Sequence, residues 1–201
     1  RQDHGKLDKR RISSLGYGDE RVFTRSEIER LKPVYVHMNV DASGSMMGEK
    51  FMKAMTLAIA IAKCGERTKN MDVQIALRDG NYEHAHIAIV YDSKRDGFKQ
   101  IETIFPLLST GGGTPEGLCF EAVMKDIVDR AKTSRRYFIN FSDGEPAFSW
   151  HLDGGARSIS YGGKPAARHT ANRVKEIRAA GVKVLSYFIK SGNYDGYENS
   201  L

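Results

Sequence analysis

Cysteine, proline and tryptophan are scarce in this 201-residue chain, with two Cys, five Pro and one Trp. Cys64 and Cys119 each sit in an apolar, helix-like stretch and neither belongs to a Cys-x-x-Cys pair. A disulfide scaffold and a thiolate metal site are therefore poor readings, and two buried, reduced thiols are expected. Long hydrophobic runs are also lacking. The longest candidate, Met55 to Ala62, is stopped by Lys63, far short of the roughly 18–20 residues that cross a bilayer. The first ten residues are polar and basic, so no signal peptide is visible. The chain begins at Arg1 rather than Met, and so reads as a fragment. A cytoplasmic location is the expectation, with no membrane partner.

Acidic excess is lacking too. Lys and Arg number 31 against 25 Asp and Glu, a net charge of +6. Half of that excess lies in residues 1–32, where nine basic residues face six acidic ones. The bias is mild: it suits an acidic partner without demanding nucleic acid. Arg10-Arg11 and Arg135-Arg136 read as solvated charge, since no aromatic residues interleave with them to stack on bases. With 40% hydrophobic residues the chain has material for a core, and overall disorder is excluded.

Residues 1–32 show no sustained periodicity and are broken by Gly5, Gly16 and Gly18, so they read as a basic N-terminal arm or linker. From Pro33 the pattern changes. Val34, Val36, Met38 and Val40 alternate with Tyr35, His37, Asn39 and Asp41, a strand that ends on a carboxylate. A Ser/Gly stretch follows, then a helix from about Met46 to Cys64, apolar nearly all round, with Gly65 as its terminator. Strands are expected over Val73–Leu77 and Ala85–Tyr91, joined by the turn residues Asp79-Gly80-Asn81 into a hairpin. A short helix covers Phe98 to Leu108. After the glycine loop 111–113, Thr114 suits an N-cap and Pro115 the first helical position. In that helix Phe120, Val123, Met124, Ile127, Val128 and Ala131 share one face. Tyr137 to Ser142 is another strand, ending at Asp143. Residues 144–164, with Phe148, Trp150 and Tyr161, read as a long loop, and Trp150 as a candidate ligand contact on it. A helix opened by Pro165 and closed by Gly181, a strand over Val182–Ile189 and a polar tail complete the chain.

Strands alternating with helices predict a doubly wound α/β domain over 33–201, with a mostly parallel sheet, helices on both faces and one antiparallel edge strand. Ligands in such sheets bind beyond the carboxyl ends of the strands. The loops expected there carry Asp41, Ser43, Ser45, Thr114 and Asp143. These are hard oxygen donors, suited to Mg²⁺, with Mn²⁺ or Ca²⁺ possible, and not to Zn²⁺. Five such groups do not easily fill six coordination positions, so an open position is expected, taken by water or by the Asp or Glu of a protein partner.

At these residues the sequence resembles the von Willebrand factor A (vWA) family. Asp41-Ala42-Ser43-Gly44-Ser45 is similar to the Asp-x-Ser-x-Ser element of the family's metal-ion-dependent adhesion site (MIDAS), Thr114 in Gly-Gly-Gly-Thr-Pro to its threonine, and Asp143 in Ser-Asp-Gly to its last aspartate. The resemblance covers roughly residues 33–190. It implies a complete MIDAS and a metal-dependent protein–protein interaction role. Gly5-Lys6-Leu7-Asp8-Lys9-Arg10-Arg11 and Asp19-Glu20-Arg21-Val22-Phe23 resemble the lead-in of the intracellular, CobT-type cobaltochelatase branch of bacteria and phages. That closer likeness implies a non-catalytic subunit of a cobalamin-pathway complex working with an AAA+ ATPase. The family continues into a further strand and a C-terminal helix, which are expected to be missing because the chain stops soon after Ile189.

Other chemistries fit less well. An aspartyl phosphatase wants a second acid where Ser43 stands, no Gly-Lys-Ser/Thr follows the glycine loop, and Ser43 and Ser45 lack a Gly-x-Ser-x-Gly elbow. His84 and His86 read as edge-strand histidines rather than zinc ligands. The alternative kept is a stand-alone, metal-dependent phosphate-ester hydrolase. No catalytic residue is assigned.

Overall fold

The computed structural model describes residues 5–24, 32–81, 83–130, 134–152 and 157–190. Ala131 and the polar tail beyond residue 190 lie outside them. The chain divides into two compact units, residues 1–31 and 32–201. In the first, β1 (Lys6–Leu7) pairs antiparallel with β2 (Phe23–Thr24), and a single helical turn, α1 (Ile12–Leu15), lies between them in sequence.

The second unit is built on a five-stranded sheet. Its strands are β3 (Val34–Asp41), β4 (Met71–Gly80), β5 (Ala85–Asp92), β6 (Arg135–Ser142) and β9 (Lys183–Phe188), in the spatial order β5-β4-β3-β6-β9. Strands β4, β3, β6 and β9 are mutually parallel, and β5 joins β4 antiparallel at the edge. The sheet is therefore the mixed, mostly parallel one that strand–helix alternation predicts. Helices α2 (Glu49–Arg67) and α3 (Lys99–Ile104) lie on one face, α4 (Glu116–Arg130) and α5 (Gly163–Ala179) on the other. Each face holds its own core. Val36, Met38 and Val40 of β3 pack with Ala54, Ala58 and Ala62 of α2; Tyr35 and Phe138 pack with Phe120, Val123 and Ile127 of α4 and Ile177 of α5.

Several elements differ from the pattern reading for physical reasons. Helix α2 begins at Glu49, because Gly44–Met46 first makes a 3₁₀ turn, and it ends at Arg67. Only one side of it is buried, and Cys64 is exposed while Cys119 is buried, both thiols being free. Gly65 does not stop the helix; it sits inside it, where a Cβ would stand 2.6 Å from Val73 Cγ2, so glycine permits close helix–sheet approach. Helix α4 starts at Glu116, one position late, because the N–H and C=O of Thr114 both pair with Ala147 instead of capping. The largest difference is over 144–164. It is an antiparallel hairpin, β7 (Ala147–Leu152) with β8 (Arg157–Gly162), and not a loop. Phe148, Trp150 and Leu152 alternate along β7, the period of a strand, though the surrounding glycines mask it.

Candidate functional site

Strand β3 alternates as expected, but its polar set is not solvated. Tyr35, His37, Asn39 and Asp41 are all fully buried, on the side of the sheet that meets α4. Next to Asp41 in the parallel register stands Arg78 of β4, also fully buried. A buried guanidinium must be paired and hydrogen-bonded to persist. Arg78 Nη1 donates to Asn39 Oδ1 at 2.6 Å and Asn140 Oδ1 at 2.7 Å. Its Nη2 donates to Glu116 Oε1 at 3.0 Å and Asp41 Oδ2 at 3.2 Å. Asn140 Nδ2 donates to the same Glu116 oxygen at 2.8 Å. One side chain thus ties β3, β4 and β6 to the first turn of α4.

Above this hub lie the loops at the carboxyl ends of the strands. Asp41 Oδ1 accepts the Ser43 N–H at 2.9 Å, and Oδ2 accepts the Ser142 hydroxyl at 3.0 Å. The Ser43 and Ser45 hydroxyls are 3.1 Å apart, and Ser45 Oγ donates to Asp143 Oδ1 at 2.7 Å. Ser43, Ser45 and Asp143 therefore form a continuous run of side-chain oxygens, and Asp41, 102 positions before Asp143, joins it through the Ser43 backbone N–H. The glycine loop is held beside them by backbone: Gly111 N–H donates to Ala42 O at 2.8 Å, Gly44 N–H to Gly112 O at 3.1 Å, and Gly113 N–H to Gly80 O at 2.8 Å. Thr114, buried, follows directly on this loop. All five candidate residues lie at one rim of the sheet: Ser43, Ser45 and Asp143 are linked through side chains, Asp41 through the Ser43 N–H and Thr114 through its loop.

Pattern reading missed four members of the site. Arg78, Asn140 and Glu116 form its floor, and Lys50 its flank: Lys50 Nζ donates to Asp143 Oδ2 at 2.5 Å and to Ser45 O at 3.0 Å. Arg78 carried a usable signal, a charge two residues from the end of an apolar strand. Conversely, Trp150 sits on strand β7, stacked on Phe148 at 5.3 Å, rather than on a loop over the site. Phe148 in turn covers Gly80, and the hairpin, Gly112 and Gly113 line a cleft of about 610 Å³ beside the glycine loop. His86 stands on edge strand β5 and pairs with Asp79 at 3.1 Å. Among the described residues no three His, Cys, Asp or Glu side chains cluster as a metal site; the donor set here mixes two carboxylates with hydroxyls. Also among the described residues, no helix is long and apolar enough to cross a membrane.

No protein-family profile matches the sequence, and no curated protein does. Solved structures match by shape. The pilus adhesin SpaC of Lactobacillus rhamnosus GG superposes with a TM-score of 0.57 at 15% identity, over 80% of this chain and 24% of its own. The manganese-loaded TRAP protein of Plasmodium vivax gives 0.58 at 14%, over 80% and 59%. The minor pilin PilB of Streptococcus sanguinis gives 0.59 at 14%, over 84% and 53%. The fold is vWA-like. Each of these neighbours is longer, and this chain spans between about a quarter and three fifths of their lengths.

Proposed function

We propose that this chain is a protein-recognition module whose three-loop rim binds a divalent cation, and through it an acidic residue of a partner. The observation that carries the proposal is the run of hard oxygens from Ser43 to Asp143. Ligands at 2.0–2.1 Å from an octahedral Mg²⁺ lie about 2.9 Å apart along each edge. Ser43 Oγ, Ser45 Oγ and Asp143 Oδ1 are already spaced at 3.1 and 2.7 Å, so the residues fit such an ion. Ser43, Ser45 and Asp143 would hold it directly, with Thr114 supplying a further hydroxyl. Asp41 is held in the buried hub by Ser43, Ser142 and the fixed Arg78, so it would orient the loop and reach the ion through water. When bound, the ion supplies a Lewis-acidic position for an incoming carboxylate.

Charge supports the same direction of recognition. Asp41, Asp143 and Glu116 face Arg78 and Lys50, three carboxylates against two cations. A divalent ion cancels that negative charge even with the Lys50 ammonium displaced, and its open position favours a carboxylate ligand. A structural neighbour solved with manganese fits the ion class. The narrower proposal, a cobaltochelatase-like subunit beside an AAA+ ATPase in the cytoplasm, has the lead-in segments Gly5–Arg11 and Asp19–Phe23 as its support. Co-purification with such an ATPase tests it.

The test of ion binding is calorimetry with Mn²⁺ and Mg²⁺. Binding heat is expected for the wild type and at least a tenfold weaker affinity for Ser45→Ala and Asp143→Ala. Equal affinity in all three proteins would overturn the site. Turnover of a phosphate ester that vanishes in Asp143→Ala would replace recognition with hydrolysis.

A further inference from the structure

We infer that Lys50 is a built-in counter-cation of the rim: its ammonium neutralises Asp143 while the divalent ion is away and has to leave for the ion to bind, so this lysine sets the ion affinity. The inference rests on the proposed cation site. Lys50 pairs with Asp143, whose side chain is only 2% exposed. One Asp143 oxygen takes the Ser45 hydroxyl and the other the Lys50 ammonium, which also bonds the Ser45 carbonyl. The ammonium therefore bridges two of the residues that would hold the ion. A doubly charged ion seated between Ser45 Oγ and Asp143 would share that carboxylate with a like charge a few ångströms away, which low-dielectric surroundings penalise.

The position of the lysine has no helical explanation. Lys50 is the second residue of α2, where the positive end of the helix dipole disfavours a cation. Its neighbour Lys53 instead makes an ordinary surface pair with Glu49, one turn away at 2.7 Å. The remaining cation of the site, Arg78, is committed to Asp41 and Glu116 on the floor. Lys50 is also tethered by a flexible stem with 22% of its side chain exposed, so it has a route out to solvent. Strand ends and glycine loops fix the oxygens; a lysine can swing.

The test is Mn²⁺ titration of the whole chain, followed by calorimetry and by the electron paramagnetic resonance of free Mn²⁺, on wild type, Lys50→Met, Lys50→Gln and the control Lys53→Met. A fall in Kd of tenfold or more in both Lys50 variants, with Lys53→Met unchanged, is expected. In the wild type, Mg²⁺ should also shift the ¹⁵Nζ resonance of the Lys50 ammonium toward that of a solvated lysine. Binding by the Lys50 variants alone would support the same competition, with the lysine winning at the concentrations used. Equal or weaker binding in both Lys50 variants, with normal binding by the wild type, would overturn the counter-cation role and leave the cation site standing. No binding by any protein would instead remove the cation site, and the inference with it.

Discussion

Arg78 and His37 lie on the same buried side of the sheet, and each makes a prediction of its own. Arg78 bears a full charge in a dry position, balanced by Asp41 and Glu116. Removing one partner of such a set strands the others, at a cost of about 3–5 kcal/mol. Arg78→Met is therefore expected to unfold at much lower urea, and adding Asp41→Asn and Glu116→Gln to it should recover part of the loss; urea denaturation of the single and triple variants checks both. His37 is held neutral instead. Its Nδ1 meets Gln74 Oε1 at 2.8 Å, its ring stacks on Phe138, and Nε2 has no hydrogen-bond partner among the described residues. Burial, aided by Arg130, pushes its pKa down to about 4 against weaker upward pulls from Gln74, Asp126 and Asp92. The unfolded chain, with an imidazole near 6.5, binds the proton first. Stability is therefore full above pH 6.5 and falls as pH drops towards 4, by about 3 kcal/mol in all. Asp92 acts only at lower pH: burial opposes its ionisation, but Arg130 and the Lys94 N–H prevail and keep it below the ordinary carboxylate range. Urea titrations between pH 7 and 4.5 should show the slope in the wild type and a flattened one in His37→Phe.

At the scale of elements, the rim exists because three loops approach backbone to backbone. Gly112 has φ +67°, and a Cβ there would stand 1.9 Å from the carbonyl oxygen of Gly80. Alanine at 112 adds a left-handed penalty of about 1–2 kcal/mol to a clash that only loop movement relieves. Gly144, beside Asp143, has nothing within 4 Å of such a Cβ, so its alanine variant should stay within about 0.5 kcal/mol of wild type. The expected pair of outcomes in thermal melts is a clear loss for Gly112→Ala and none for Gly144→Ala, with Mn²⁺ affinity falling in the first alone. Elements of this kind separate what a sequence shows from what it hides. Strand β3 and helix α4 are legible because one period runs through each of them. Asp41, Ser43, Ser45 and Asp143 are legible as neighbours, with Thr114 at the end of the adjoining glycine loop, because strand ends in a parallel sheet share a rim. Hairpin β7–β8 is not, since its short strands are flanked by glycine and half exposed. Nor is the floor: Arg78, Asn140 and Glu116 meet through sheet register and helix docking, and no local spacing records that Arg78 stands beside Asp41. The burial of His37 and Asn39 was hidden for a related reason. Polar residues alternating on a strand normally face water, and here α4 covers them because the ion-paired hub satisfies enough of their neighbours.

For the whole molecule, ion binding at the proposed rim would be coupled to folding. The rim belongs to the unit 32–201, and its five oxygen-bearing residues come from segments as distant as Asp41 and Asp143, so the unfolded chain cannot assemble it. A ligand that binds only the folded state stabilises it by about 2.7 kcal/mol at a hundredfold excess over Kd. For a chain of this size each kcal/mol moves the midpoint by roughly 2–4 °C. Mn²⁺ at that excess should therefore raise Tm by about 5–11 °C in the wild type and leave Asp143→Ala where it was. If residues 1–31 melt separately, that transition should not move, because none of the five lies in them. Scanning calorimetry with and without Mn²⁺, with Ser45→Ala as a second variant, separates these outcomes. A rise of equal size in wild type and both variants would mean that the metal stabilises the fold from somewhere other than the rim.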